Sequence, residues 1–229
     1  MRHLILFISI FIWVFQVNGQ DSHVDKLKDI GYTIKKNNFI EGNKTLTEDQ
    51  IAGSPYLNRQ FTKSLIIKED QSEIRDIPLR YNIFSNRMEF KQNGTVLYIA
   101  DAYAIKRIIL GDKVFVYARY MTSRNIKASY FQCLTEGKYQ LLKMYKIAFK
   151  SSDNKADNPK SNRFENEPPN YYFRYRNGMS HLIKSQKELI KILQPIPDEI
   201  VNYIREKKIN PKNEQQLIDL MNYADKVMD

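Results

Sequence analysis

The side chains in this sequence that can do nucleophilic or acid–base chemistry are few and far apart. Cys133 is the only cysteine, and His3, His23 and His181 are the only histidines. A cysteine nucleophile needs an imidazole within hydrogen-bond reach and a third group to orient that ring. Cys133 and His181 both fall in strand-like runs, with no helix N-terminus or asparagine partner evident, so packing is the expectation for each. One cysteine also excludes an intrachain disulfide. No H-x-E-x-H, C-x-x-C or EF-hand spacing occurs, and no G-x-S-x-G, P-loop or dinucleotide fingerprint. No metal or cofactor is implied.

Glycoside hydrolysis needs two carboxylates, and these need not be close in sequence. Glu89 and Asp101 are candidates because they fall in or beside predicted β structure; the competing expectation is charges on the wet face of a sheet. Asp153, Asp157 and Glu165 would form an isolated calcium site or, more simply, solvate a loop. Asn43-Lys44-Thr45 and Asn93-Gly94-Thr95 are glycosylation sequons, and Asn93-Gly94 is also a hairpin turn.

The sharpest candidate is the aromatic–basic run Tyr171-Tyr172-Phe173-Arg174-Tyr175-Arg176. On strand alternation, Tyr171, Phe173 and Tyr175 share one face, and Tyr172, Arg174 and Arg176 share the other. Tyrosine and arginine anchor protein interfaces. Tyr171, Tyr172, Arg174 and Arg176 are therefore the expected partner-binding residues, against the plainer reading of a strand with one core face and one solvated face.

The address of the chain comes from its first nineteen residues. Met1-Arg2-His3 is a basic start, Leu4 to Val17 is almost unbroken apolar sequence, and Val17-Asn18-Gly19 ends in small residues ahead of Gln20. This is the layout of a secretory signal peptide, too short to span a bilayer comfortably as a helix. Its removal takes Trp13, the only tryptophan, and lowers the formal charge from +10 to +9. A basic exported protein meets anionic lipid, lipopolysaccharide or an acidic protein face rather than nucleic acid. Its lysines are scattered, as on an ordinary solvated surface.

The mature sequence reads in three parts. Residues 20–60 are polar with isolated apolar spots, ending at the turn signal Gly53-Ser54-Pro55-Tyr56-Leu57. From 62 to 148, short β-branched and aromatic runs alternate with Ser85-Asn86, Asn93-Gly94, Gly111-Asp112 and Glu136-Gly137, which predicts an antiparallel meander. Several strands are apolar on both faces, so the sheet must curl or be covered twice. A polar stretch at about 150–169 predicts an exposed loop, and Tyr171–Tyr175 and His181-Leu182-Ile183 then form a last hairpin. Ser185 to Glu188 fits a capping box, Pro197 the first turn of a second helix, and Asn213 a cap before Leu217, Leu220, Met221 and Ala224 at helical spacing.

Gly53-Ser54-Pro55-Tyr56-Leu57 with Phe61, Leu79-Arg80-Tyr81-Asn82-Ile83, Met88-Glu89-Phe90 and Gly137-Lys138-Tyr139-Gln140-Leu141-Leu142 together resemble a group of small exported proteins of Bacteroidetes-type bacteria. The resemblance runs to a helical tail near Asn222-Tyr223. It implies a periplasmic or outer-membrane-associated setting and a β-rich body with a helical tail, and it carries no catalytic residues.

The expected fold is α+β: a curved antiparallel sheet or partly open β-barrel of about eight to ten strands (20–183), followed by a C-terminal helical subdomain (184–229). The expected function is a non-catalytic accessory or binding protein of the bacterial envelope that acts through a protein partner in an outer-membrane complex. The alternatives are a carrier of a lipid in a curved-sheet cavity and an envelope hydrolase.

Overall fold

The computed structural model describes residues 23–34, 39–41, 44–151 and 162–228. The leader, Asn43, Asp153 and Asp157 lie outside these residues. A short helix α1 (His23–Lys26) and a 3-10 turn (Lys28–Ile30) precede β1 (Tyr32–Ile34), β2 (Phe39–Glu41) and β3 (Lys44–Leu46). A second 3-10 turn (Glu48–Gln50) leads to β4 (Thr62–Lys68), β5 (Glu73–Asn82), β6 (Arg87–Gln92), β7 (Thr95–Ile99) and β8 (Ile105–Leu110). β9 (Lys113–Met121), β10 (Ile126–Cys133), β11 (Tyr139–Lys150), β12 (Arg163–Tyr175) and β13 (His181–Leu182) follow. The chain ends with α2 (Gln186–Ile192), α3 (Asp198–Glu206) and α4 (Glu214–Val227).

Eleven strands form one open antiparallel sheet in the order β1-β7-β6-β5-β4-β8-β9-β10-β11-β12-β13, and β2 and β3 pair separately. The meander is set by its turns. Asn93 and Gly94 both have positive φ, 48° and 77°, and place Gln92 opposite Thr95, as a two-residue type I′ hairpin requires. Gly111, at φ 62°, opens the equally tight β8–β9 turn, where Leu110 faces Lys113. The Ser85-Asn86 hairpin differs from expectation. Asn82 pairs with Arg87, so four residues make the loop, and the Asn82 side chain accepts from Ser85 N at 3.0 Å.

The sheet curls hard. Register shifts interrupt β4 at Ser64/Leu65 and at Ile67/Lys68, and β11 between Met144 and Lys146; such bulges bend a strand. The curl brings the β5–β6 loop onto β10. The Asn86 carboxamide oxygen accepts from Tyr81 Oη (3.0 Å), Ser129 Oγ (3.0 Å) and Tyr130 N (3.1 Å). Two isolated bridges tie the Ala52–Tyr56 segment to β12 and β5, Ala52 to Arg163 and Tyr56 to Asn82. The glycine at 53 is required there: its φ is 79°, and a Cβ would run into the Phe164 carbonyl.

Three cores explain why β9 and its neighbours are apolar on both faces. The concave face is filled by side chains of the sheet itself, including Ile66, Ile77, Leu79, Phe90, Ile108 and Phe115, together with Leu27 and Ile30. On the opposite face, Val116, Ala118, Phe131, Leu142 and Tyr172 form a smaller core. The chain between β12 and β13 folds back beside it: Ser180 bridges Tyr120, donating to Arg119 O at 2.9 Å. The helices bury their stripes on the β11–β12 end. Leu189, Ile200, Ile204, Leu217, Leu220 and Met221 pack with Leu141, Tyr171 and Phe173. Ser185 and Asn213 cap α2 and α4 as read from sequence, whereas Pro197 precedes α3 rather than entering its first turn.

The stretch from 150 to 169, expected as a loop, is sheet at its C-terminal end. β12 begins at Arg163 and pairs with β11 as far as Lys150. The polar composition that suggested a loop reflects strand ends where Asn166, Glu167 and Pro168 stay exposed; polar side chains on a wet strand look like loop in sequence alone. Residues 152–161 lie outside the described residues.

Candidate functional site

The Tyr171–Arg176 strand has the predicted alternation but not the predicted exposure. Tyr171 is buried under the helices and donates to Glu214 Oε2 at 2.9 Å; Lys143 Nζ reaches the same oxygen at 2.7 Å. Burial and that bond push the Tyr171 hydroxyl up. Tyr172 is 4% exposed, packed edge-on against Phe131 and Tyr120, with its hydroxyl pushed up to about 12, mainly by burial. Arg174 is 6% exposed. Of the four residues expected to bind a partner, Arg176, at φ 50° in the following turn, is open to solvent, as is its neighbour Tyr175. The expected exposure is therefore corrected: the face carrying Tyr172 and Arg174 is covered by neighbouring strands and the chain around Ser180.

The nucleophile candidates are kept apart by register. Cys133 pairs with Leu142, on the face of Tyr172, whereas His181 pairs with Phe173 on the other face. Burial pushes the Cys133 thiol up to about 11, and it donates to Thr135 O at 3.1 Å. Asp101 is exposed and caps a turn, accepting from Tyr103 N and Ala104 N. Glu165 pairs with Arg163 at 2.5 Å.

Glu89 corrects the wet-face expectation. It is 1% exposed and sits in a polar cluster. Its Oε2 accepts from Arg80 Nε (2.9 Å) and Nη2 (2.8 Å), and its Oε1 from Asn82 Nδ2 (2.8 Å). Arg80 Nη2 also donates to Tyr56 Oη (2.7 Å), whose hydroxyl donates to Glu48 at 2.6 Å. The Arg80 guanidinium lies over the rings of Tyr56 and Phe61, at 3.6 and 4.6 Å. Burial and the Glu48 bond push the Tyr56 hydroxyl well up. Every charge here has a partner, which is what allows it to be buried. The cluster gathers Tyr56, Phe61, Arg80, Asn82 and Glu89, all from segments that carried the family resemblance. Sequence reasoning missed it through the loop length: a two-residue loop at Ser85-Asn86 sets Arg80 opposite Lys91, whereas the true loop sets it opposite Glu89. The slip of two leaves every face unchanged, so alternation gives no warning.

Two of the exposed large apolar side chains are brought together. Met121 (54% exposed) and Ile126 (53%) face each other across the β9–β10 hairpin. The loop between them is held by Thr122, whose Oγ1 donates to Asn125 O at 2.7 Å and accepts from Asn125 N at 3.1 Å. Arg119, Arg124 and Lys127, which flank the pair in sequence, are exposed. Beside this tip a groove of about 410 Å³ runs between Tyr120, Met121, Leu182 and Ile192 of α2.

Comparison with protein families, with curated proteins and with solved structures finds no match. Among the described residues, no helix is long and apolar enough to cross a membrane, and no three His, Cys, Asp or Glu side chains gather as a metal site would require.

Proposed function

We propose that the chain is a non-catalytic accessory protein of the bacterial envelope that acts through a protein partner, in a periplasmic or outer-membrane-associated setting. The observation that carries this reading is the Met121–Ile126 pair: two large apolar side chains, each more than half exposed, held opposite one another by a fixed loop, with exposed cations flanking them in sequence. Methionine and arginine are enriched at the centres of protein interfaces, and a contiguous exposed apolar patch with a polar rim marks a contact site. The leader supports the location. The filled concave face supports partner binding over lipid carriage, because Phe90, Phe115 and Ile77 occupy the space an acyl chain would need. The engagement of Glu89 with Arg80 and Asn82 supports it over acid–base hydrolysis.

The test is site-specific photo-crosslinking from position 126 in the native envelope, with mass spectrometry of the adduct. One protein adduct, lost in the Met121→Ser/Ile126→Ser variant at unchanged melting temperature, is the expected result. No adduct, or an adduct indifferent to that double substitution, overturns the assignment.

A further inference from the structure

Among the described residues Arg174 is buried and Arg80 is largely covered, and their surroundings differ. Arg80 has a carboxylate, a phenol, a backbone carbonyl and two aromatic rings around its guanidinium. Arg174 has one bond: its Nε donates to Gln140 Oε1 across the β11–β12 ladder at 2.8 Å. Among the described residues no carboxylate pairs with it, although its residue surface is 94% covered. An uncompensated charge in such a position is costly, which is why buried charges are normally paired. Burial alone pulls the Arg174 pKa down, and an arginine still keeps its proton.

Arg174 lines a cavity of about 410 Å³ at the seam where β8 begins beside β9. Two further cations, Lys106 and Arg119, stand on its wall, and the turn after β12 closes one side at Asn177 and Gly178. Lys106 Nζ donates to Gln71 Oε1 at 3.0 Å, and Arg119 makes no side-chain hydrogen bond or ion pair among the described residues. The single carboxylate on the wall is Glu69, which is exposed and forms no ion pair with any of the three cations. Three basic residues against one acidic one, with terminal guanidinium N–H groups on Arg174 for which no hydrogen bond to a described residue is made, match the chemistry of an oxyanion.

We infer that this cavity is a binding site for a small carboxylate or phosphate, with Arg174 as its anchor and Arg119 and Lys106 at its mouth. The site shares Arg119 with the surroundings of the β9–β10 tip, but its anchor Arg174 lies outside that tip, and the experiment below contains no protein partner. Arg174 is the missing half of an ion pair whose other half is the ligand, and this explains why a charge is left buried without a protein partner.

The experiment is a thermal melt of the mature protein, followed by circular dichroism, with inorganic phosphate or succinate replacing chloride at constant ionic strength. Two variants are melted alongside it. Arg174→Met removes the charge and keeps the length, and Arg119→Ser changes only an exposed side chain. The expected result is a saturable rise for the unmodified protein, about 5–10 °C at one hundred times Kd. Arg174→Met should show no response while melting no lower than the parent in chloride, and Arg119→Ser should bind several-fold more weakly. If only phosphate acts the ligand is a phosphate group, and if only succinate acts it is a carboxylate; either supports the site. No saturable rise over chloride with either anion overturns it. So does an undiminished response in both variants. If Arg174→Met fails to fold, the parent titration and Arg119→Ser still decide.

Discussion

Glu89→Gln keeps the shape of the side chain and removes one charge from the Tyr56–Arg80–Glu89 cluster. Glu89 accepts two hydrogen bonds from Arg80 on Oε2 and one from Asn82 on Oε1. A glutamine has one acceptor oxygen, so whichever way its amide turns, an N–H faces either the guanidinium or the Asn82 amide. Removing one partner of a buried ion pair costs about 3–5 kcal/mol. Arg80 retains Tyr56 Oη, the Arg59 carbonyl and the two rings, and its side chain is 12% exposed, so the lower end applies. About 3 kcal/mol in a chain of this size corresponds to a fall of about 6–12 °C in melting temperature. The assay is thermal and urea unfolding by far-UV circular dichroism, because the only tryptophan, Trp13, falls in the expected leader, outside the described residues, and offers no indole probe of the sheet. The double variant Arg80→Met/Glu89→Leu separates the pair from the packing: an apolar replacement of a buried ion pair is often neutral, so it should come within about 1–2 kcal/mol of the parent. The reasoning is refuted if Glu89→Gln alone costs less than about 1 kcal/mol, or if the double variant is no more stable than the single one.

Three further outcomes follow from named contacts. Asp225→Ala should lower stability by about 2 kcal/mol, since Asp225 Oδ1 accepts from Lys138 N (3.1 Å) and Tyr139 N (3.0 Å) and so pins α4 to the start of β11; urea midpoints check it, and a loss under about 0.5 kcal/mol would count against the pin. Cys133, with its thiol raised to about 11, should resist alkylation at pH 8 in the folded state and react within minutes in guanidinium, and rapid native labelling would contradict its burial. Glu214 gives a pH signature: burial opposes its charge, but the bonds from Lys143 and Tyr171 outweigh this and hold its carboxyl below the usual range. A depressed carboxyl contributes stability above its unfolded value of about 4.3 and loses it as pH falls through the folded value. The stability gap between the parent and Glu214→Gln should therefore be widest at neutral pH and close below about pH 4, with a modest size because the carboxylate is about a third exposed; a gap independent of pH would sink the assignment.

Much of the fold was legible in local sequence, because turns and caps are decided by near neighbours. Asn93-Gly94 and Gly111-Asp112 encode their hairpins through φ that few residues tolerate, and Ser185 and Asn213 encode helix starts through one side-chain acceptor each. The apolar stripe of Leu217, Leu220, Met221 and Ala224 required something to bury it, and the pattern of Lys113–Met121, apolar on both faces, required cover on both sides. Alternation determines which side chains share a face; it carries no information on what lies over that face. That was decided by the curl of the sheet and by the return of the chain at Ser180, and it turned Tyr172 and Arg174 from presumed surface into interior. In the same way, the strand end at Arg163–Pro169 looks like loop until β11 is there to pair with it. The Arg80–Glu89 pair and the lone buried charge of Arg174 arise from register and long-range packing, the two quantities that a local pattern leaves open.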